Sequence, residues 1–107
     1  MPVTIYISGA ITNDPDYQQK FDEAERLIRQ SFRYVKIINP AKNEVDTTGM
    51  DAEQIWQAYM AVCREQVKRS DIVATLDGWE QSRGAVEEVA LAKSNEIIVC
   101  SVKELLK

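Results

Sequence analysis

The stretch Asp71-Ile72-Val73-Ala74-Thr75-Leu76-Asp77-Gly78-Trp79-Glu80-Gln81-Ser82-Arg83-Gly84-Ala85-Val86-Glu87-Glu88-Val89-Ala90-Leu91-Ala92 reads as strand, loop and helix. The apolar run 71–76 has strand character, and Asp77-Gly78 breaks it. Ser82 is placed to cap a helix running from about Arg83 to Ser94. In an open α/β sheet such a loop lies at the carboxyl ends of the strands, where ligands bind. At about 100° per residue, Ala85, Val86, Val89, Ala90 and Ala92 make one apolar arc. Glu87 falls nearly opposite its centre and is expected in solvent. Glu88 falls at the edge of the buried face, partly desolvated, though charged flanks on helices are common and the angle alone does not make it a catalytic group.

The same alternation runs along the chain. Val3 to Ser8 is a β-branched strand stopped by Gly9, and Phe21, Ala24, Leu27 and Ile28 predict a helix from about Tyr17 to Gln30, capped by Asp14 or Asp16. Tyr34 to Ile38 is a second strand ended by Asn39-Pro40, and Ala41 to Asp51 reads as a loop. Ile55, Trp56, Tyr59, Met60, Cys63 and Val67 give an amphipathic helix from Asp51 to about Arg69. Ile97 to Cys100 is a further strand and Val102 to Leu106 a short terminal helix. Strands alternating with helices imply an α/β fold: a single-domain parallel, Rossmann-like or flavodoxin-like sheet of four to five strands, with helices on both faces.

The 107 residues suffice for one domain with one core. A formal net charge of −4 argues against a nucleic-acid polymer as partner, because phosphate backbones require a basic face. No apolar run is long enough to span a bilayer, and Met1-Pro2-Val3-Thr4-Ile5 does not resemble a signal peptide; the expectation is a cytoplasmic protein. Cys63 and Cys100 are far apart and unpatterned, which suggests buried thiols rather than a disulfide or metal site. With no histidine in the chain, the common zinc sets and the Ser-His and Cys-His nucleophile systems are excluded, leaving carboxylates, hydroxyls, tyrosine and backbone groups for any chemistry.

Neither a complete Gly-x-Gly-x-x-Gly nor a P-loop pattern is present, so Gly9 taken alone is a turn glycine. Asp71 and Asp77 bracket one strand and lie roughly 20 Å apart if it is straight, so only Asp77 shares the carboxyl edge with Glu88. Tyr6, Ser8 and Gly9 sit near the end of the first strand and Asn39 at the end of the second. With Asp77 and Glu88, four segments bring polar groups to one rim, which points to a site more strongly than any one residue does. Trp79 is either an aromatic lid over a base or a loop packing residue. Trp56 and Tyr59 fit a core or an interface, and the apolar surface of their helix predicts a homodimer or higher homo-oligomer.

Tyr6-Ile7-Ser8-Gly9-Ala10-Ile11-Thr12, Asn39-Pro40-Ala41, Trp56-Gln57-Ala58-Tyr59-Met60 and the 71–92 segment resemble the nucleoside 2-deoxyribosyltransferase-like proteins, in particular their DUF4406 branch. The likeness covers nearly the whole chain and is most specific at Ser82-x-Gly84-x-x-x-Glu88. It implies that Glu88 is a nucleophile attacking C1′ of a deoxyribose, that Ser82 and Gly84 help hold a 5′-phosphate, and that Tyr6 and Gly9 line the sugar pocket. It implies a small nucleoside or nucleotide as ligand and requires no metal or redox cofactor. Asp77 is the candidate proton donor to the base, if burial raises its pKa. Ser82, Arg83 and the helix N-terminus would meet the phosphate or 5′-hydroxyl. The loop after the first strand lacks the arginine of the monophosphate glycosidases, and the asparagine that the transferases borrow from a neighbouring subunit has no evident equivalent. The expectation is a 2′-deoxynucleoside or deoxynucleotide N-glycosidase or deoxyribosyltransferase. Its rivals are a non-catalytic nucleotide-binding module of the same fold and a glycohydrolase of another N-ribosyl compound.

Overall fold

The computed structural model describes residues 2–107, so Met1 lies outside it. Four parallel strands, β1 (Val3–Ser8), β2 (Val35–Ile38), β3 (Ile72–Thr75) and β4 (Ile98–Ser101), form one sheet in the order β2-β1-β3-β4. Helices α1 (Tyr17–Ser31), α2 (Ala52–Lys68) and α3 (Arg83–Ser94) make the crossovers, and α4 (Val102–Leu105) follows β4. The sheet is therefore the expected doubly wound one, with four strands among the described residues. β4 begins and ends one residue later than its apolar run predicts, and Ser101 both closes it and caps α4 by accepting from the Glu104 N–H.

The local signals act as their chemistry dictates. Asp51 accepts from the Gln54 N–H at 2.8 Å while the Gln54 side chain accepts from the Asp51 N–H at 2.9 Å, a reciprocal cap that starts α2. Ser82 accepts from the Ala85 N–H at 3.2 Å and starts α3. At α1 the expected cap differs: Asp16 holds the N-cap position without a side-chain bond, and Asp14 instead accepts from the Asp16 N–H and pairs with Lys20. The loop after β2 contains a 3-10 turn, Pro40–Lys42, and a second such turn, Trp79–Gln81, follows β3.

Strand alternation divides the core between the two faces of the sheet. Ile5, Ile7 and Ala74 face α1 and α4, against Phe21, Ala24, Ile28 and Val102. Tyr6 and Val73 face α2 and α3, against Cys63, Val67 and Ala92. β1 leads outward to β2 and β3 leads outward to β4, so the sheet reverses direction between β1 and β3. That boundary is the topological switch point, where the loops after neighbouring strands part. Gly9 sits on it because a Cβ there would come within 2.8 to 3.1 Å of the Leu76 side chain on β3's continuation. Close approach of two chain segments, not only a turn, requires this glycine.

Candidate functional site

Parallel register sets Ser8 beside Thr75, and Tyr6 beside Val73, on the face covered by α2 and α3. α3 crosses this face and lays the stripe Ala85, Glu88, Val89 and Ala92 on it. Glu88 thus lies at the centre of the buried face, not at its edge. Val86 is exposed at 45%, and Ala90 is also exposed, so the apolar arc drawn from residue type alone is rotated by less than a third of a turn, about 100° or less, from the face that is buried. The sheet decides the outcome, because it offers two hydroxyls where Glu88 lands. The Tyr6 hydroxyl donates to Glu88 Oε2 at 2.8 Å and the Ser8 hydroxyl donates to Oε1 at 2.7 Å. Tyr6 and Ser8 are fully buried and Glu88 is 5% exposed.

No cation pairs with this carboxylate among the described residues. Burial pushes its pKa up to about 7, against the opposing pull of the hydrogen bonds from Ser8 and Tyr6; the neighbouring Glu87 charge adds a small push upward. Burial first, and the Glu88 charge second, hold the Tyr6 phenol well above its ordinary range. Both hydroxyls donate, which suits the carboxylate anion as acceptor on each oxygen. The result is a desolvated carboxylate that titrates near neutrality with both oxygens oriented, at the switch point of a parallel sheet. Such a group can serve as a nucleophile or as a general acid or base.

The other candidates divide into those near Glu88 and those turned away from it. Ser82 and Gly84 stand at the start of α3. Ser82 is occupied as a cap, and Gly84 lets α3 approach α2, since a Cβ there would lie 3.2 Å from Met60 Sδ. Arg83 is engaged twice: its guanidinium stacks 3.6 Å from the Trp56 ring centroid and Nη1 donates to both Glu53 oxygens at 2.9 and 3.1 Å. Trp79 is half-buried in the 3-10 turn after β3. Glu87, expected in open solvent, is instead bound in a fork by Arg64 at 2.8 and 3.1 Å, which holds its carboxyl below the usual range.

Asn39 and Asp77 reach the rim but belong to the opposite face. Ile38 is in register with Tyr6 and faces α2 and α3, so the next residue, Asn39, turns towards α1. There it is buried, donates to Asp22 and Glu25 at 2.9 and 3.1 Å, and accepts from the Ala41 N–H. The Asp77 side chain is 72% exposed and pairs with Lys103 of α4 at 2.7 Å. The burial that a proton-donating Asp77 needs is absent. A groove of about 620 Å³ runs between α1, α4 and the end of β3, with Leu27, Leu76 and Leu106 on its walls and Asp77 and Lys103 on its rim; Glu88 does not line it.

Two residues near Glu88 escaped the reading of the sequence as site groups. Thr75, buried beside Ser8, donates to the Cys100 carbonyl at 3.4 Å, and its place follows from strand alternation with Val73. Cys63 is buried against Tyr6 and Glu88; helical spacing marked it only as a core residue. Cys100, expected to be buried, is half-exposed, and both thiols are free.

A buried carboxylate with no counter-ion among the described residues, held by β1 at the switch point of a parallel sheet, marks the candidate site of this α/β domain. The chain belongs to the DUF4406 family, described as a domain of unknown function, whose match covers residues 3–101. Among solved structures it is similar to a conserved protein from Enterococcus faecalis V583, with 21% identity and a TM-score of 0.72 over 92% of this chain and 62% of that one. The chain therefore spans less than two thirds of that protein's length, and the likeness is one of fold. Comparison with curated proteins finds no match. No helix among the described residues is long and apolar enough to cross a membrane.

Proposed function

We propose that the chain is a nucleoside 2-deoxyribosyltransferase-like domain that breaks the N-glycosidic bond of a 2′-deoxynucleoside or its 5′-monophosphate, with Glu88 as nucleophile. The observation that carries this reading is the Glu88 carboxylate itself, buried, uncompensated by any cation among the described residues, and bound by the Tyr6 and Ser8 hydroxyls. In the first step a Glu88 oxygen forms a bond to C1′ as the C1′–N bond breaks and its electron pair leaves with the base. In the second, water or another base attacks C1′ and releases Glu88, the retaining sequence of glycosidases. The proton that the base or water exchanges is assigned to solvent, since Asp77 is bonded to Lys103 on the other face. Tyr6 and Ser8 hold the carboxylate in place and share its negative charge.

Turnover of a panel of deoxynucleosides and their monophosphates tests the reading. Glu88→Gln is expected to lower any turnover by about a thousandfold or more, since it removes the nucleophile, while Glu87→Ala leaves most of it. The rate should climb as pH rises through about 7, as Glu88 loses its proton. Equal rates for wild type and Glu88→Gln would exclude the mechanism.

A second reading, a non-catalytic nucleotide-binding module, is favoured by the engagement of Arg83 with Glu53 and Trp56 and by the 5% exposure of Glu88. Calorimetric binding of a deoxynucleotide with no turnover would select it. In either case the chain is read as a homodimer or higher homo-oligomer. Exposed Val62 on α2 and Val86 on α3 support this, and sedimentation showing only monomer at micromolar concentration would count against it.

A further inference from the structure

The two faces of the sheet are covered unequally, and the thinner cover leaves a groove. On the Glu88 face two long helices, α2 and α3, meet where Gly84 lies against Met60. On the other face α1 has 15 residues but α4 only four, a single turn. Ala24 of α1 and Val102 of α4 are buried in one core cluster, yet so short a helix cannot close the space beyond them. The groove of about 620 Å³ that results is of the size of small-molecule sites, about 300–1,000 Å³. Its α1 wall runs from Gln19 to Leu27, about 12 Å at 1.5 Å per residue. Leu27, Leu76 and Leu106 line it and are only half-buried, so each keeps apolar surface for a ligand to cover. The floor is fixed in advance: the Leu76 N–H donates to the Ser8 carbonyl at 2.8 Å, and its side chain is seated on Gly9.

The rim restricts the charge of what can bind. Lys103 is paired with Asp77 at 2.7 Å, Lys20 with Asp14 at 2.8 Å, and Glu23 with Arg26. Every charge on the rim therefore has its opposite within the chain. A charged head would have to break such a pair and would be left beside a like charge. The Thr75 hydroxyl is already donated to the Cys100 carbonyl, which leaves Gln19 as the uncharged side chain with a donor and an acceptor to offer. Among the described residues no aromatic ring lines the groove, so a planar base has nothing to stack on. We propose that this groove, on the face opposite Glu88, binds an uncharged small molecule with an aliphatic body of up to about 12 Å and a hydrogen-bonding head, the three leucines covering the body and Gln19 meeting the head. The proposal does not rest on the glycosyl-transfer reading, since Glu88 does not line the groove.

Methyl-resolved carbon-13 NMR of the whole chain, titrated with 1-hexanol, 1-octanol, octanoate and octylammonium, tests it. 1-Octanol should give saturable shifts at Leu27, Leu76 and Leu106, and none at Val62 and Val86, the exposed valines of α2 and α3. It should bind about fifteenfold more tightly than 1-hexanol, at about fourfold for each buried CH2. Both charged probes should bind more weakly than 1-octanol. Leu27→Gln should weaken 1-octanol by about tenfold. Should that variant fail to fold, the ranking of the four probes on the natural chain decides the question alone. A charged probe that binds as tightly as 1-octanol, an unsaturable response, or shifts that reach Val62 and Val86 equally would overturn the proposal. Broadening of the three leucines when the protein alone is concentrated would assign the groove to a second copy, and would overturn it as well.

Discussion

Two buried glutamates, one on each face of the sheet, are solved in opposite ways. Glu25 on α1 is 8% exposed and Glu88 on α3 is 5% exposed. Glu25 is surrounded by donors, most of them charged: Arg29 Nη2 and Lys42 Nζ each approach at 2.9 Å, and Asn39 donates at 3.1 Å. Burial pushes its carboxyl up, but the bonds from Lys42, Asn39 and Arg29 together outweigh that and hold it below the ordinary range. Glu88 receives only neutral donors, and burial prevails. The comparison separates a carboxylate used to tie α1 to the β2 loop from one kept reactive at a cost in stability. Burial alone does not mark a site; burial without a counter-ion is the more informative state.

The contrast predicts opposite responses to pH, and the larger belongs to Glu88. In the unfolded chain it titrates near 4.5 and in the native chain near 7. Between those values the native state holds a proton that the unfolded chain has lost. The stabilisation is complete below about pH 4.5, falls as pH rises, and is gone above about 7, a loss of about 3 kcal/mol. Urea unfolding across this range should show the decline in wild type and not in Glu88→Gln, which should be the more stable protein at pH 8. A wild-type curve that rises steadily from pH 4.5 to 7 would break the comparison.

Glu25 should behave in the reverse sense. Its native pKa is depressed, so its contribution is present above the unfolded value and is lost as pH falls through the native one. Glu25→Gln is expected to lose about 1–2 kcal/mol at neutral pH, to flatten the acid limb, and to leave the Glu88 titration unmoved. If it shifts the Glu88 midpoint as well, the two faces are coupled through the sheet and cannot be treated separately.

Much of this arrangement was legible in the chain. Period-2 and period-3.6 patterns set the order of elements, and the helical angle set Glu88, at the edge of the apolar arc, apart from Glu87, opposite its centre. Sequence could also place Asn39 and Asp77 at the carboxyl rim, but not on a face. That required the register of Ile38 with Tyr6, which turns Asn39 towards α1, and the docking of α4, which gives Asp77 its Lys103 partner. The depth of Glu88 was hidden for a related reason. An apolar arc is blind to hydroxyls contributed by a strand 80 residues away, and here Tyr6 and Ser8 bind a carboxylate on the buried face while Val86 is left exposed.

The smallest expected effect tests the claim that no charge compensates Glu88. Glu87, one residue earlier, is the nearest like charge, and its influence on Glu88 is weak because Arg64 binds it and solvent reaches 40% of its side chain. Glu87→Gln removes that charge and also leaves Arg64 unneutralised nearby. Both changes favour the Glu88 anion, so they act in the same direction. The Glu88 midpoint should fall, by only about 0.3 pH units, because surface charges interact through water. Global stability should change by less than about 1 kcal/mol, the ordinary value of a half-exposed ion pair. Carbon-13 titration resolves a shift of this size. A fall of a full unit would mean that Arg64 swings in to pair with Glu88, and the site would then hold a latent counter-ion of the kind Glu25 already has.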